Sequence, residues 1–212
     1  MISKVFRGII RTNKAKVIYL VRHGESYYNR AIKENKKMST PNSYLTFDGV
    51  ESAIDLKQII KTIKTDKLLC SPMNRALQTC YFSLPVMQHD RVVIEPNLIE
   101  RIGKHRDVWD EKSNLGILYP TFNFQYMRDT ILPYPDWRMS FKERCKLQKI
   151  RETKDDFNSR VDLIMNNILK SGDTSILIYG HGDFFSRFID FATGCNYYLN
   201  NCEIVKIDFD ES

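Results

Sequence analysis

Residues able to handle an anion recur at the ends of apolar runs. Arg22-His23-Gly24 follows residues 17–21, a continuous apolar stretch that is β-branched at three positions. Gly180-His181-Gly182 follows a similar stretch over 174–179, and Ser71-Pro72-Met73-Asn74-Arg75 follows a third over 67–70. A histidine can act as base, acid or nucleophile near neutral pH. An arginine presents a fixed cationic fork to phosphate or carboxylate, and Gly24 allows the backbone to approach a ligand closely. Brought to one pocket, His23, His181, Arg22 and Arg75 suit a phosphoryl group and its negative transition state. One histidine can attack phosphorus and hold the group covalently. The arginines would disfavour imidazolium and keep that histidine neutral.

These residues meet only if the runs before them are neighbouring parallel strands, since open α/β sheets bind ligands beyond their strands' carboxyl ends. Short apolar runs suit strands covered on both faces. The pattern predicts strands at about 16–21, 67–71, 91–95 and 174–179, and an alternating edge strand over 203–209. Helices are predicted just after residue 26, from Phe47 with Thr46 or Asp48 as N-cap, and from Pro72 with Ser71 as cap. Two more are predicted over 155–170 and 183–191. In the 155–170 helix, Phe157, Val161, Ile164, Met165, Ile168 and Leu169 face the core. Alternating strands and helices indicate an α/β fold: a three-layer sandwich with a mostly parallel central sheet and helices on both faces. The helices after the second and fourth strands would aim their N-termini at the shared edge, which favours an anion. Residues 97–154 differ, being rich in aromatics, basic residues and prolines (Pro120, Pro133, Pro135). They read as an irregular, cap-like insertion forming a wall or lid.

At 212 residues the chain fits a single domain, 1–212. No apolar run approaches the ~20 residues of a membrane span, so no membrane partner is expected. The net charge of +6 is concentrated in Lys4, Arg7, Arg11, Lys14 and Lys16. Residues 1–15 therefore read as a solvated basic N-terminal extension and not as a secretory signal. A second basic cluster spans 141–154. Aromatics do not alternate with the basic residues in a stacking pattern, which argues against nucleic acid as partner. The five cysteines (Cys70, Cys80, Cys145, Cys195, Cys202) are odd in number and contain no Cys-x-x-Cys pair. Neither a metal site nor a disulfide framework is expected, no cofactor is implied, and a reducing, cytoplasmic setting fits. His89, Phe122, Phe124 and Tyr126 read as packing residues.

The motifs, taken in order, resemble those of the histidine phosphatase superfamily, the phosphoglycerate mutase-like enzymes. Residues 21–29, Val-Arg-His-Gly-Glu-Ser-Tyr-Tyr-Asn, look like the nucleophile motif, and Leu45-Thr46-Phe47-Asp48-Gly49 resembles the Leu-Thr-x-x-Gly element. Residues 70–79 resemble the second-arginine motif, Leu98-Ile99-Glu100 the acid segment, and Gly180-His181-Gly182 the second-histidine motif. Residues 115–137 also look like plant and fungal members, with Pro120 and Trp137 in similar places.

The resemblance implies a phosphoglycerate mutase-like fold and a set of roles. His23 would become phosphohistidine, Arg22, Arg75 and His181 would bind the phosphoryl oxygens, and Glu100 would protonate the leaving oxygen and then activate water. Asn29, Arg101 and Gly182 are the substrate-binding candidates, with Lys104, His105 and Arg106 beside them. Asp183 is the rival acid, although Gly182 separates it from His181. The expected activity is phosphatase action on a phosphomonoester, carried by a small molecule or a phosphoprotein. A mutase is the alternative, but after Glu100-Arg101 the chain reads Ile-Gly-Lys and not the mutase His-Tyr-Gly. A non-catalytic phospho-ligand-binding protein is a second alternative, and the intact His23, His181 and arginines argue against it.

Overall fold

The computed structural model describes residues 1–37, 42–103, 112–128 and 152–212. Lys104, His105, Arg106, Pro133, Pro135, Trp137, Cys145 and all but the last three residues of the 141–154 cluster lie outside the described residues. The apolar runs form one six-stranded sheet in the order β1 (Lys4–Arg7), β6 (Ile204–Phe209), β2 (Lys16–Arg22), β5 (Ser175–Gly180), β3 (Lys67–Cys70), β4 (Val92–Ile94). Only the β6–β2 ladder is antiparallel. The expected α/β sandwich with a mostly parallel sheet is the architecture found.

Strand side chains alternate between the two faces. Ile18, Leu20, Ile176, Ile178 and Val205 share a core with the helices Lys154–Lys170 and Gly182–Thr193. Val21, Leu68, Leu177 and Tyr179 share the opposite core with Phe47–Ile60 and Asn74–Ser83. Among the described residues the helices are, in chain order, α1 (Tyr27–Lys33), α2 (Phe47–Ile60), α3 (Asn74–Ser83), α4 (Lys112–Leu118), α5 (Lys154–Lys170) and α6 (Gly182–Thr193). Thr46 caps α2, its Oγ1 accepting the Gly49 N–H at 3.1 Å. Phe184, Phe185, Phe188 and Ile189 of α6 are all 0% exposed. At roughly 1.5–3 kcal/mol per buried large side chain, they fix the helix that His181 opens.

Three expectations change. Residues 1–15 are not a solvated extension: β1 pairs in parallel with β6. Phe6 enters the core while Lys4 and Arg7 point outward, and Arg7 meets Asp210 at 2.9 Å. The charge that suggested a tail is the outer dressing of an edge strand. Consequently β6 is an inner strand, and its polar positions Lys206 and Asp208 pair with each other at 2.8 Å. Finally, α3 begins at Asn74 with no side-chain cap from Ser71, whose hydroxyl is used elsewhere.

The described part of the 97–154 segment divides in two. Asn123 extends the sheet edge, exchanging backbone hydrogen bonds with β4 at 2.8 Å. Leu115, Tyr119, Phe122 and Phe124 join the core on the α2–α3 side, where His89 packs against Tyr81 and Phe122. Tyr126 is instead 42% exposed. Residues 100–103 and Glu152 border the cleft described next.

Candidate active site

Sheet register aligns three strand ends. Arg22 pairs with Gly180 and Cys70 with Tyr179, so His23, Ser71 and His181 emerge side by side. The rings of His23 and His181 lie 5.2 Å apart, centroid to centroid. Arg75, in the first turn of α3, brings its Nε to 3.3 Å from His23 Nε2. Arg22, His23, Asn29, Arg75, Glu100 and Arg101 line a cleft of about 470 Å³.

His23 is 3% exposed and its Nδ1 lies 2.7 Å from the Gly24 carbonyl. A carbonyl only accepts, so Nδ1 carries the proton and Nε2 the lone pair. Burial, reinforced by Arg75 and Arg22, holds the His23 pKa well below the usual histidine range. The histidine expected from the sequence to act as nucleophile is therefore held neutral, with Nδ1 bonded to the Gly24 carbonyl and the Nε2 lone pair facing Arg75 Nε. Gly24 serves a different contact from the one expected. A Cβ there would stand 2.7 Å from the Gly49 carbonyl, so the missing side chain lets the nucleophile turn pack on α2. The Gly24 N–H donates to Thr79 Oγ1 at 2.9 Å, and Thr79 donates to the Arg75 carbonyl at 2.7 Å. Thr79 thereby ties the turn to the helix that carries Arg75.

His181 is 0% exposed, and burial followed by Arg75, His23 and Arg22 pushes its pKa well below the usual range. Its Nε2 lies 2.8 Å from Ser71 Oγ. That oxygen also accepts the Met73 N–H at 3.4 Å and can give its own proton to Nε2. In that tautomer the ring's other proton sits on Nδ1, a buried atom with no partner among the described residues. Arg22 Nε is orphaned in the same way. Buried polar groups are normally satisfied, so two orphaned nitrogens beside His23 suit an anion that accepts from them. Arg22 is otherwise held by the Leu199 carbonyl and lies 4.8 Å over the Tyr198 ring.

The sequence model of the histidine phosphatase superfamily (branch 1) matches residues 18–212. The chain belongs to that superfamily. No curated protein matches it by sequence. Solved structures of similar fold include a putative alpha-ribazole-5'-P phosphatase from Escherichia coli. It is 22% identical with a TM-score of 0.57, and the match covers 92% of this chain and 91% of that one. The phosphoglycerate mutase of Bacillus anthracis is 18% identical with a TM-score of 0.61, covering 94% and 90%. The ecdysone phosphate phosphatase of Bombix mori, in complex with tungstate, is 15% identical with a TM-score of 0.57, covering 90% and 88%. At these identities the structures support a shared phosphoglycerate mutase-like fold.

Within this member of the histidine phosphatase superfamily, Asn29 lines the cleft while its Oδ1 serves the α1 cap, accepting from the Ser26 N–H at 3.1 Å. Arg101 also borders the cleft, with its guanidinium 5.9 Å over the Phe157 ring. Gly182 is not on the cleft wall. A Cβ there would come within 2.4 Å of the Tyr198 hydroxyl, so Gly182 makes room for Tyr198. Asp183 shares the cleft with Glu100 and Tyr198. Glu25, which adjoins the Arg-His-Gly run, is structural: Lys33, Arg30 and Thr46 hold its carboxylate and depress its pKa.

Sequence reasoning missed the segment after α6. Asn201 donates from Nδ2 to the His23 carbonyl at 2.9 Å, and the Cys202 N–H reaches the Arg22 carbonyl at 3.2 Å. With Tyr198 these residues support the nucleophile strand from below. Their only sequence signal is a polar, aromatic run, 196–201, which reads as an ordinary loop. Ser71 was visible but was assigned to a helix cap.

Proposed function

We propose that the protein hydrolyses phosphomonoesters through a phosphohistidine at His23. The observation that carries this reading is the neutral His23, anchored at Nδ1, with Arg75 at its Nε2 and the orphaned donors of Arg22 and His181 beside it. His23 Nε2 bonds to phosphorus as the phosphorus–oxygen bond to the leaving group breaks. Glu100 gives its proton to the departing oxygen. Arg22, Arg75 and His181 Nδ1–H hold the equatorial oxygens, where negative charge gathers. The ring becomes cationic while phosphorylated, and the Gly24 carbonyl steadies the proton on Nδ1. In the second step the Glu100 carboxylate takes a proton from water, the water oxygen attacks phosphorus, and the nitrogen–phosphorus bond breaks. Glu100 is preferred over Asp183 because it falls in the Leu-x-Glu segment, whereas Gly182 separates Asp183 from His181.

The test is turnover of an aryl phosphate by wild-type protein and by His23→Ala. Wild type should release phosphate and, quenched in mid-turnover, yield an acid-labile phosphoenzyme, whereas His23→Ala should lose at least about 10³-fold in rate. Pure wild-type protein that shows neither turnover nor phosphoenzyme would sink the proposal. Isomerisation of phosphoglycerate, assayed with and without bisphosphoglycerate, separates a mutase from a phosphatase.

A further inference from the structure

The acid-bearing loop is buried but belongs to no helix or strand beyond a single turn at Pro96–Leu98. Leu98 and Ile99 are 0% exposed, so the carbonyls around them need donors from outside the loop. One side chain in α5 supplies them. Arg160 Nη1 donates to the Asn97 and Ile99 carbonyls at 2.8 and 2.9 Å, and Nη2 to the Glu100 carbonyl at 3.4 Å. Its remaining donors, Nε and Nη2, reach the Glu152 carboxylate at 2.8 and 2.7 Å. All five guanidinium N–H groups are thus used. Glu152 completes the hold: its Oε2 accepts the Ile102 N–H at 3.1 Å, and its own N–H donates to the Ile102 carbonyl at 2.9 Å. The pair is deeply buried, with side chains 5% and 1% exposed. The guanidinium also lies 5.7 Å over the Phe184 ring, in the helix that begins beside His181.

We infer that Arg160 and Glu152 are positioning residues for Glu100: by fixing the backbone on both sides of it, they place the proton donor against the nucleophile. This rests on the reading of Glu100 as the general acid. Proton transfer needs hydrogen-bond reach, and a misplacement of about 1 Å can cost on the order of 10²-fold in rate. Stability alone is a poor account of the pair, because buried ion pairs are often matched by apolar residues of similar volume. A lysine at 160 would keep the charge, but its point-like ammonium cannot serve three carbonyls and a carboxylate together.

The experiment compares Arg160→Lys, Glu152→Gln and Glu100→Gln on phenyl phosphate, whose leaving group needs protonation, and on 2,4-dinitrophenyl phosphate, whose leaving group does not. Glu100→Gln should lose on the order of 10²-fold more kcat/KM, which reports the phosphorylation step alone, on the first substrate than on the second. Arg160→Lys and Glu152→Gln should show the same selective loss at about 10-fold. Equal losses on both substrates, or none on either, in the two positioning variants while Glu100→Gln keeps its pattern would overturn the inference alone. A Glu100→Gln variant without the pattern would overturn the acid assignment, and the inference with it. Thermal unfolding is measured in parallel. If Arg160→Lys does not fold, Glu152→Gln, which conserves volume, decides.

Discussion

Two walls of the cleft are held by different means. One carries His23, which like the fully buried Ser71 and His181 stands one residue beyond a strand, in a place set by the backbone ladders between β2, β5 and β3. On the other wall, Glu100 stands on an irregular segment whose carbonyls converge on the one guanidinium of Arg160. Ladder hydrogen bonds are many and share any strain, whereas a single side chain is a single point of failure. The first wall should therefore tolerate changes behind it, and the second should not.

Several substitutions probe that contrast, from the largest expected effect down. Arg75→Ala removes a donor at the nucleophile and should lower kcat by about 10²–10³-fold, to the same extent for good and poor leaving groups. A loss confined to poor leaving groups would mean that Arg75 belongs functionally to the acid wall. Glu100→Gln and Asp183→Asn should separate on phenyl phosphate, with a loss of about 10²-fold for the first and a few-fold for the second. The reverse ranking would move the acid to α6. Ser71→Ala leaves His181 Nε2 unpaired at the floor of the site and should cost roughly 1–3 kcal/mol in stability. Denaturant unfolding measures it, and no change would show that the Ser71 bond does not hold His181.

The smallest effect concerns pH. Burial and the arginines keep His23 and His181 neutral in the folded protein. The unfolded chain takes up protons on both as pH falls through about 6.5, and the folded chain does not. Their contribution to stability is therefore full above that pH and declines below it. Thermal unfolding should show a loss in acid that His23→Asn reduces; an unchanged acid loss would place its origin elsewhere.

Much of the nucleophile wall was legible because strand-end chemistry is local: an apolar run followed by Arg22-His23 or Gly180-His181 states both element and edge. Even there, Ser71 was misread, since a serine before proline looks the same whether it caps a helix or meets a histidine 110 residues away. β1 was missed because Lys-Val-Phe-Arg has one inward side chain and two charged ones, which local composition cannot tell from a tail. Arg160 was the more instructive omission. It lies three residues after Phe157 and four before Ile164, on the face that the helical repeat assigns to the core. An arginine on an apolar face was the available signal; its partners, three carbonyls and a carboxylate, come from folding.

The placement of β6 has a consequence for how the protein is made. The strand that backs β2, and so supports the turn bearing His23, comes from residues 204–209, and β1 then closes over it. A nascent chain emerges from its N-terminus, so His23 leaves the ribosome well before its supporting strand exists. Until residues 204–209 are made, β1 has no neighbour to pair with and one edge of β2 is bare. The setting of His23 is thus completed by a segment made about 180 residues after it.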